Sequence, residues 1–327
     1  MCTGLTLTTK NGEHLFGRNM DLEYYFGQSV GVIPRDYTYT NISTKKIEKT
    51  KYAMVAMISM MANHPMLSDG MNEKGLGIAG LNFGDEFGGL EKDFVNDKIN
   101  IPAFDFMLWI LSNFDNIEDV KKNVLQVNLM DIRIDEKIPN VCLHWIASDR
   151  SGKSIVIEKT KDGMKVYDNE VGVLTNPPTF DWQLTNLRQY TNTIPTQISK
   201  TMCSDKELTP TGRGAGLIGL PGDTTAPSRF IRAAFLRNFV LQNEDVSMGD
   251  YFHIMNNVAM VRGTAKNDGV NEFTQYTSCM NLEKGTYTYK TYHSLALSSV
   301  NLFNEDLNSS DIKLFKYEDN LSITNLN

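Results

Sequence analysis

The chain has 327 residues, 41% of them hydrophobic and 22% charged, an ordinary globular composition with ample material for a large core. A net charge of −7 with no basic stripe argues against a nucleic-acid binder, and no apolar run is long enough to span a bilayer. No linker-like break in composition, low-complexity tract or block of like charge divides the sequence, so one domain over 1–327 is expected.

The chain starts Met1-Cys2-Thr3-Gly4. If Met1 is removed, Cys2 carries a thiol and a free α-amino group on one residue. An α-amino group titrates near pH ~8, so it can take the thiol proton and later return it to a leaving amine. A cysteine near a terminus can equally be an incidental residue at a fraying end. Residues 2–9 and 14–19 alternate polar and apolar around Lys10-Asn11-Gly12, which predicts a β-hairpin. Two registers are open. A two-residue Asn11-Gly12 turn sets Cys2 opposite Asp21, whereas a three-residue turn with Gly12 left-handed sets Cys2 opposite Met20 and on one face with Arg18. An arginine there stabilises a thiolate, and an aspartate orients an α-ammonium; a surface Arg/Asp pair at a hairpin end is the alternative.

Strands are predicted over 52–59 and 76–81, the second entered through the turn-like stretch 69–75. The second ends in Gly80-Leu81-Asn82-Phe83-Gly84, where glycines admit a ligand to the backbone and Asn82 adds an amide donor, the ingredients of an oxyanion site. Helical spacing follows over 102–114, then a helix capped by Asp115 or Asn116 to about residue 126. Consecutive strands are predicted over 141–148, 154–159, 164–167 and 171–174, the last stopped by Thr175-Asn176-Pro177-Pro178. Asn176 therefore stands at another strand end. Asp181 is expected to cap a helix over 182–187.

Residues 211–223 contain a formal G-x-G-x-x-G, but no apolar strand precedes it and Pro221 follows, so a shaped loop is expected rather than a dinucleotide site. Helices are predicted over 227–241, with Arg229 in the first turn, and over 251–261. A final hairpin over 273–283 and 287–292 and closing strands over 295–302 and 312–317 complete the chain. Strands in hairpin runs with helices grouped between them point to an antiparallel α+β layer architecture. Cys2, Cys142, Cys203 and Cys279 form no C-x-x-C pair and read as reduced thiols, and the five histidines lack metal-ligand spacing. No metal or cofactor is expected.

Taken in order, Met-Cys-Thr-Gly, Gly17-Arg18-Asn19-Met20-Asp21, Asp69-Gly70-Met71-Asn72-Glu73-Lys74-Gly75-Leu76, Ala79-Gly80-Leu81-Asn82, Leu174-Thr175-Asn176, Gly219-Leu220-Pro221-Gly222-Asp223, Ser228-Arg229-Phe230 and Gln275-Tyr276-Thr277-Ser278-Cys279 closely resemble the choloylglycine hydrolases. That family comprises bile salt hydrolases and penicillin V acylases. The resemblance implies an N-terminal nucleophile hydrolase with a four-layer αββα sandwich, loss of Met1, and attack by Cys2 on the substrate amide. It implies that Arg18 and Asp21 support the thiol and amine, that Asn82 and Asn176 build the oxyanion site, and that Arg229 completes the network. Asn82 leans toward the bile-salt-cleaving branch, whose substrates are glycine- or taurine-conjugated bile acids. Met20, Phe26, Met61, Asn82 and Ile138, with the loop 63–67, are the implied pocket lining. A homotetramer assembled through the 189–219 excursion is implied as well, and a cytoplasmic location is expected because no signal peptide precedes Cys2. The competing expectations are a penicillin V acylase and a noncatalytic binder of amphipathic ligands that retains Met1.

Overall fold

The computed structural model describes residues 1–135 and 140–327; Ile138, implied in the pocket lining, lies outside the described residues. Two antiparallel sheets dominate. The first contains β1 (Cys2–Thr8), β2 (His14–Leu22), β10 (Val173–Leu174), β11 (Ala265–Asn267), β12 (Val270–Asn281), β13 (Thr286–Thr291) and β14 (Ser298–Asn301). Its order is β10-β1-β2-β12-β13-β14, with β11 paired to β12. The second runs β9-β8-β7-β6-β5-β4-β3-β15, built from β3 (Ser29–Ile33), β4 (Met54–Met61), β5 (His64–Asn72), β6 (Gly77–Asn82), β7 (Leu143–Ser148), β8 (Ser154–Thr160), β9 (Gly163–Asp168) and β15 (Lys313–Leu314).

The apolar pattern explains the layering. In β4, residues 54–58 form a continuous apolar run, which suits a strand buried on both faces. Val55 and Met57 point into the core shared with Leu5, Phe16 and Met280 of the first sheet. Met54, Ala56 and Ile58 point the other way, onto Phe106, Ile110 and Leu111 of α1 (Phe106–Asn113) and Val120 of α2 (Ile117–Val124). The first sheet is covered in turn by α4 (Ala226–Val240) and α5 (Met248–Asn257), through Phe230, Ile231, Tyr251 and Met255, while α3 (Phe180–Leu187) packs beside α4. The order helix, sheet, sheet, helix is the expected αββα sandwich.

The β1–β2 hairpin takes the longer of the two open turns. Thr9 N–H donates to Glu13 O at 2.8 Å, Gly12 N–H donates to Thr9 O at 2.9 Å, and Gly12 has φ 78°, the left-handed residue that a three-residue turn needs. Cys2 therefore pairs with Met20, and Gly4 with Arg18. Gly17 lets the hairpin seat deeply, since a Cβ there would lie 2.3 Å from the Ser278 carbonyl oxygen.

Several local expectations are corrected. Residues 69–72 belong to β5 rather than to a turn, and the reversal before it is the two-residue Ala62-Asn63 loop, both residues with positive φ. Gly70 is a strand residue because Ala56 fills the place of its Cβ, 2.6 Å away. α3 begins at Phe180 with Thr179 as its cap position, so Asp181 lies in the first turn instead of capping it. β3 was not anticipated, its short run being broken by Gly31.

Two glycine substitutions separate conformational from steric demand. Gly12→Ala, with open space around it, is expected to cost about 1–2 kcal/mol through its left-handed φ alone. Gly17→Ala presses on backbone that cannot yield and is expected to cost about 3 kcal/mol or more. Urea melts read both, and a Gly17→Ala protein as stable as wild type would contradict the close approach.

Candidate active site

The hairpin register places Arg18 against Cys2. Arg18 is fully buried, and its Nη2 donates to Cys2 Sγ and, at 3.2 Å, contacts Met20 Sδ. The other arm of the guanidinium crosses to the second sheet, where Nη1 donates to Gly80 O and, at 3.3 Å, to Ser68 O. Burial alone would lower the Arg18 pKa, but the thiol of Cys2, the hydroxyl of Tyr276 and the carboxylates of Asp69 and Asp21 outweigh it and raise the value. A permanent positive charge thus stands where negative charge develops when the sulfur acts as a nucleophile.

Asp69 stands behind Arg18. It accepts hydrogen bonds from Tyr287 at 2.8 Å, from Ser278, and at 3.4 Å from Tyr276. Ser278 Oγ also accepts Arg18 N–H at 3.1 Å, so one buried network fixes β5, β12 and the arginine together. Burial raises the Asp69 pKa against the opposing influence of Arg18 and the three hydroxyls. Nothing in the sequence around Asp69 signals this role, because its hydroxyl partners all lie on β12 and β13.

On the other side of Cys2 stands Arg229. Its Nη1 donates to Cys2 O and, at 2.7 Å, to Thr3 Oγ1, and its Nη2 donates to Asn176 Oδ1 at 2.8 Å. Burial lowers its pKa, with Asp21 and Cys2 pulling the opposite way. Asn176 Oδ1 also accepts the Cys2 N–H, and Asn176 Nδ2 donates to the Asn82 carbonyl at 2.8 Å. Asn176 Nδ2 thus uses one of its two hydrogens to join the two asparagine segments, which leaves one for an oxyanion. Asp21 Oδ1 accepts from Thr274 at 2.6 Å, whereas its buried Oδ2 has no hydrogen-bond partner among the described residues and lies 4.0 Å from Arg229 Nη1.

Met1 is present, so the nitrogen of Cys2 is a peptide N–H and no base. The Met1 ammonium donates to Asp21 O at 2.7 Å and pairs with Glu272, and Met1 O accepts Asp21 N–H at 2.9 Å. Met1 thereby extends β1 by one residue, across the place where a shorter chain would expose an amine. Glu272 and Thr274 were not singled out from sequence; both lie on β12, more than 200 residues away.

A cavity of about 280 Å³ opens on Cys2. Its walls are apolar, with Met20, Phe26, Met61, Met66, Phe104 and Met107, and its polar groups are Arg18, Ser68, Asn82 and Asn140. Of the expected lining, Met20, Phe26, Met61 and Asn82 border this cavity, together with Met66 and Leu67 of the loop 63–67, whereas Asn63, His64 and Pro65 do not. Many apolar walls with a few fixed polar groups suit an amphipathic ligand presenting its reactive bond to Cys2. A second cavity, about 320 Å³ and bounded by Glu170, Val171, Leu187, Phe235 and Arg237, has no cysteine, serine or threonine among its described lining residues.

Two stacked antiparallel sheets between helical layers, with a cysteine at the start of an interior strand, form the fold of the N-terminal nucleophile hydrolases. The chain belongs to the choloylglycine hydrolase family of linear amide C–N hydrolases, whose family model matches residues 2–315. A bile salt hydrolase/transferase from Clostridium perfringens is 49% identical over 330 residues, covering 100% of both chains. The solved C2A mutant of the conjugated bile acid hydrolase from Clostridium perfringens superposes with a TM-score of 0.97 at 48% identity over 100% of each chain. The penicillin V acylase from Agrobacterium tumefaciens has a TM-score of 0.76 at 21% identity over 96% of this chain and 90% of its own, a likeness of fold alone.

Arg229 is delivered by the start of α4, and Asp223 shapes that start. The Asp223 carboxylate accepts from Thr225 N–H at 2.9 Å, Thr225 Oγ1 at 2.6 Å and Ser228 Oγ at 2.7 Å, which lowers its pKa from 3.8 to about 2. A carboxylate depressed in the folded state contributes stability above its ordinary pKa and loses it as pH falls through the folded value. Asp223→Ala is accordingly expected to lower Tm at pH 7, with the difference from wild type shrinking as pH falls from about 4 toward 2. A difference in Tm that is constant over that range would refute this capping role.

Proposed function

We propose that the chain, once Met1 is removed, is a cysteine amidase that hydrolyses glycine- or taurine-conjugated bile acids to the free bile acid and the amino acid. The observation that carries the reading is Cys2 Sγ held by a buried guanidinium at the floor of an apolar cavity. The relatives whose names specify bile salts or conjugated bile acids support the substrate class.

The chemistry follows from the contacts. The freed α-amine takes the Cys2 thiol proton, and the thiolate, stabilised by Arg18, attacks the amide carbon. The oxyanion is held by amide N–H groups of Asn82 and Asn176. As the C–N bond breaks, the Cys2 ammonium returns the proton to the departing nitrogen and leaves a thioester. Water then attacks the thioester with the amine as base, restoring the thiol. Asp21 Oδ2, which has no hydrogen-bond partner among the described residues, and Asn176 Oδ1 accept hydrogen bonds from the Cys2 ammonium and orient it, and Arg229 holds Asn176 in place. The convergence of six polar residues drawn from positions 2 to 229 supports a single domain over 1–327. Exposed Ile194, Met202 and Ile218 on the 189–219 excursion support a role for it as the surface that assembles a homotetramer.

The test is the release of glycine and taurine from conjugated bile salts beside the release of phenoxyacetate from penicillin V. A higher kcat/KM for the bile salts is expected, and a preference for penicillin V overturns the substrate assignment. Cys2→Ala should abolish turnover while calorimetry still registers substrate binding. Residual turnover above about 1% of wild type would remove Cys2 from its role, since loss of a covalent nucleophile costs several orders of magnitude.

A further inference from the structure

His144 and Glu158 form a buried pair that the chemistry above does not use. They face each other across β7 and β8, both side chains fully buried, with His144 Nδ1 3.1 Å from Glu158 Oε1. His144 Nε2 lies 2.7 Å from Thr175 O, and Glu158 Oε1 accepts Phe180 N–H at 2.9 Å. Thr175 ends the segment leaving β10 and Phe180 opens α3, so the pair grips both ends of the short loop that carries Asn176.

The protonation follows from the partners. A carbonyl oxygen only accepts, so Nε2 carries a hydrogen toward Thr175. Nδ1 and Oε1 would then meet lone pair to lone pair unless a proton lies between them. Such an arrangement is costly where Glu158 Oε2 is buried with no hydrogen-bond partner among the described residues. One shared proton resolves this and leaves the pair neutral as a unit, whichever atom bears it.

The same imidazole reaches the other asparagine segment. Phe83 stacks on the His144 ring, with centroids 4.5 Å apart and planes at 21°. Phe83 follows Asn82, whose carbonyl receives Asn176 Nδ2. One side chain is thus in contact with the neighbours of both asparagines.

We propose that His144, fixed by Glu158, is a positioning residue that sets the separation and aim of Asn82 and Asn176, and so acts on the transition state rather than on substrate binding. This rests on the oxyanion role given to the two asparagines. A mere packing role predicts a loss of stability with kinetics unchanged per folded molecule; a positioning role predicts a loss in kcat with KM conserved.

The test compares His144→Leu, His144→Gln and Glu158→Gln with wild type, on whichever of the bile salt and penicillin V amides the wild type cleaves faster. If penicillin V is that amide, the substrate assignment falls while this comparison still runs. His144→Leu is expected to lose about 100-fold in kcat with KM within about threefold, the scale of removing one oxyanion donor. Glutamine keeps an N–H for Thr175 O, so His144→Gln should recover about tenfold of that loss. Glu158→Gln cannot serve Nδ1 and Phe180 N–H from one atom, and should lose at least about tenfold in kcat. A folded His144→Leu with kcat near wild type overturns the proposal, as does a loss confined to KM or a glutamine no better than leucine. If His144→Leu does not fold, the other two variants decide: wild-type kcat in both overturns it.

Discussion

The site depends on one buried guanidinium. Arg18 is enclosed between the two sheets and touches Cys2 from the first and Gly80 from the second, so the sulfur cannot move relative to the cavity wall without breaking that fork. Burying an unpaired charge costs several kcal/mol, and the cost is offset here because sulfur and two carbonyls of the second sheet accept from it and the Asp69 carboxylate adds opposite charge nearby. A hydrophobic side chain at position 18 would pack well and leave the thiol without a fixed positive neighbour. The requirement for charge at this point in turn demands Gly17 beside it, Ser278 behind it and a hairpin of one particular length.

Arg229 plays the complementary part from the helical side. It enters from the first turn of α4 and bonds the carbonyl of Cys2, the hydroxyl of Thr3 and the side chain of Asn176, so the backbone of the nucleophile is held from one direction and its sulfur from the other. Asp21 lies between these holds with one carboxylate oxygen satisfied and one without a hydrogen-bond partner among the described residues. An unsatisfied buried carboxylate oxygen next to a nucleophile is a natural acceptor for an ammonium, and the proposed loss of Met1 supplies one at Cys2.

Much of this was legible in the order of residues, and the failures have physical causes. The turn residues Lys10-Asn11-Gly12 announced the hairpin but fit two loop lengths, because Gly12 serves either; packing of Gly17 and Arg18 against the rest of the fold decides between them. Asp69-Gly70 has the look of a turn, yet the glycine is there for Ala56 and the aspartate for hydroxyl partners 207 to 218 residues further on, a relation no local window contains. The six polar site residues were found as a set because the motifs of the resemblance carry them together, and the structure brings all six to one place. His144 and Glu158 belonged to no such motif. Their sequence signal is a titratable residue beside apolar ones, His144 between Leu143 and Trp145 and Glu158 between Ile157 and Lys159, a pattern that surface residues share.

The most direct test of the account is the mass of the N-terminal peptide from enzyme quenched in acid during turnover of a conjugated bile salt. The account predicts a peptide that starts at Cys2, lacks Met1, and is heavier by one bile acyl group in a fraction of molecules that disappears when substrate is exhausted. Full activity in a preparation that retains Met1, or an acyl group carried by any residue other than Cys2, would contradict it.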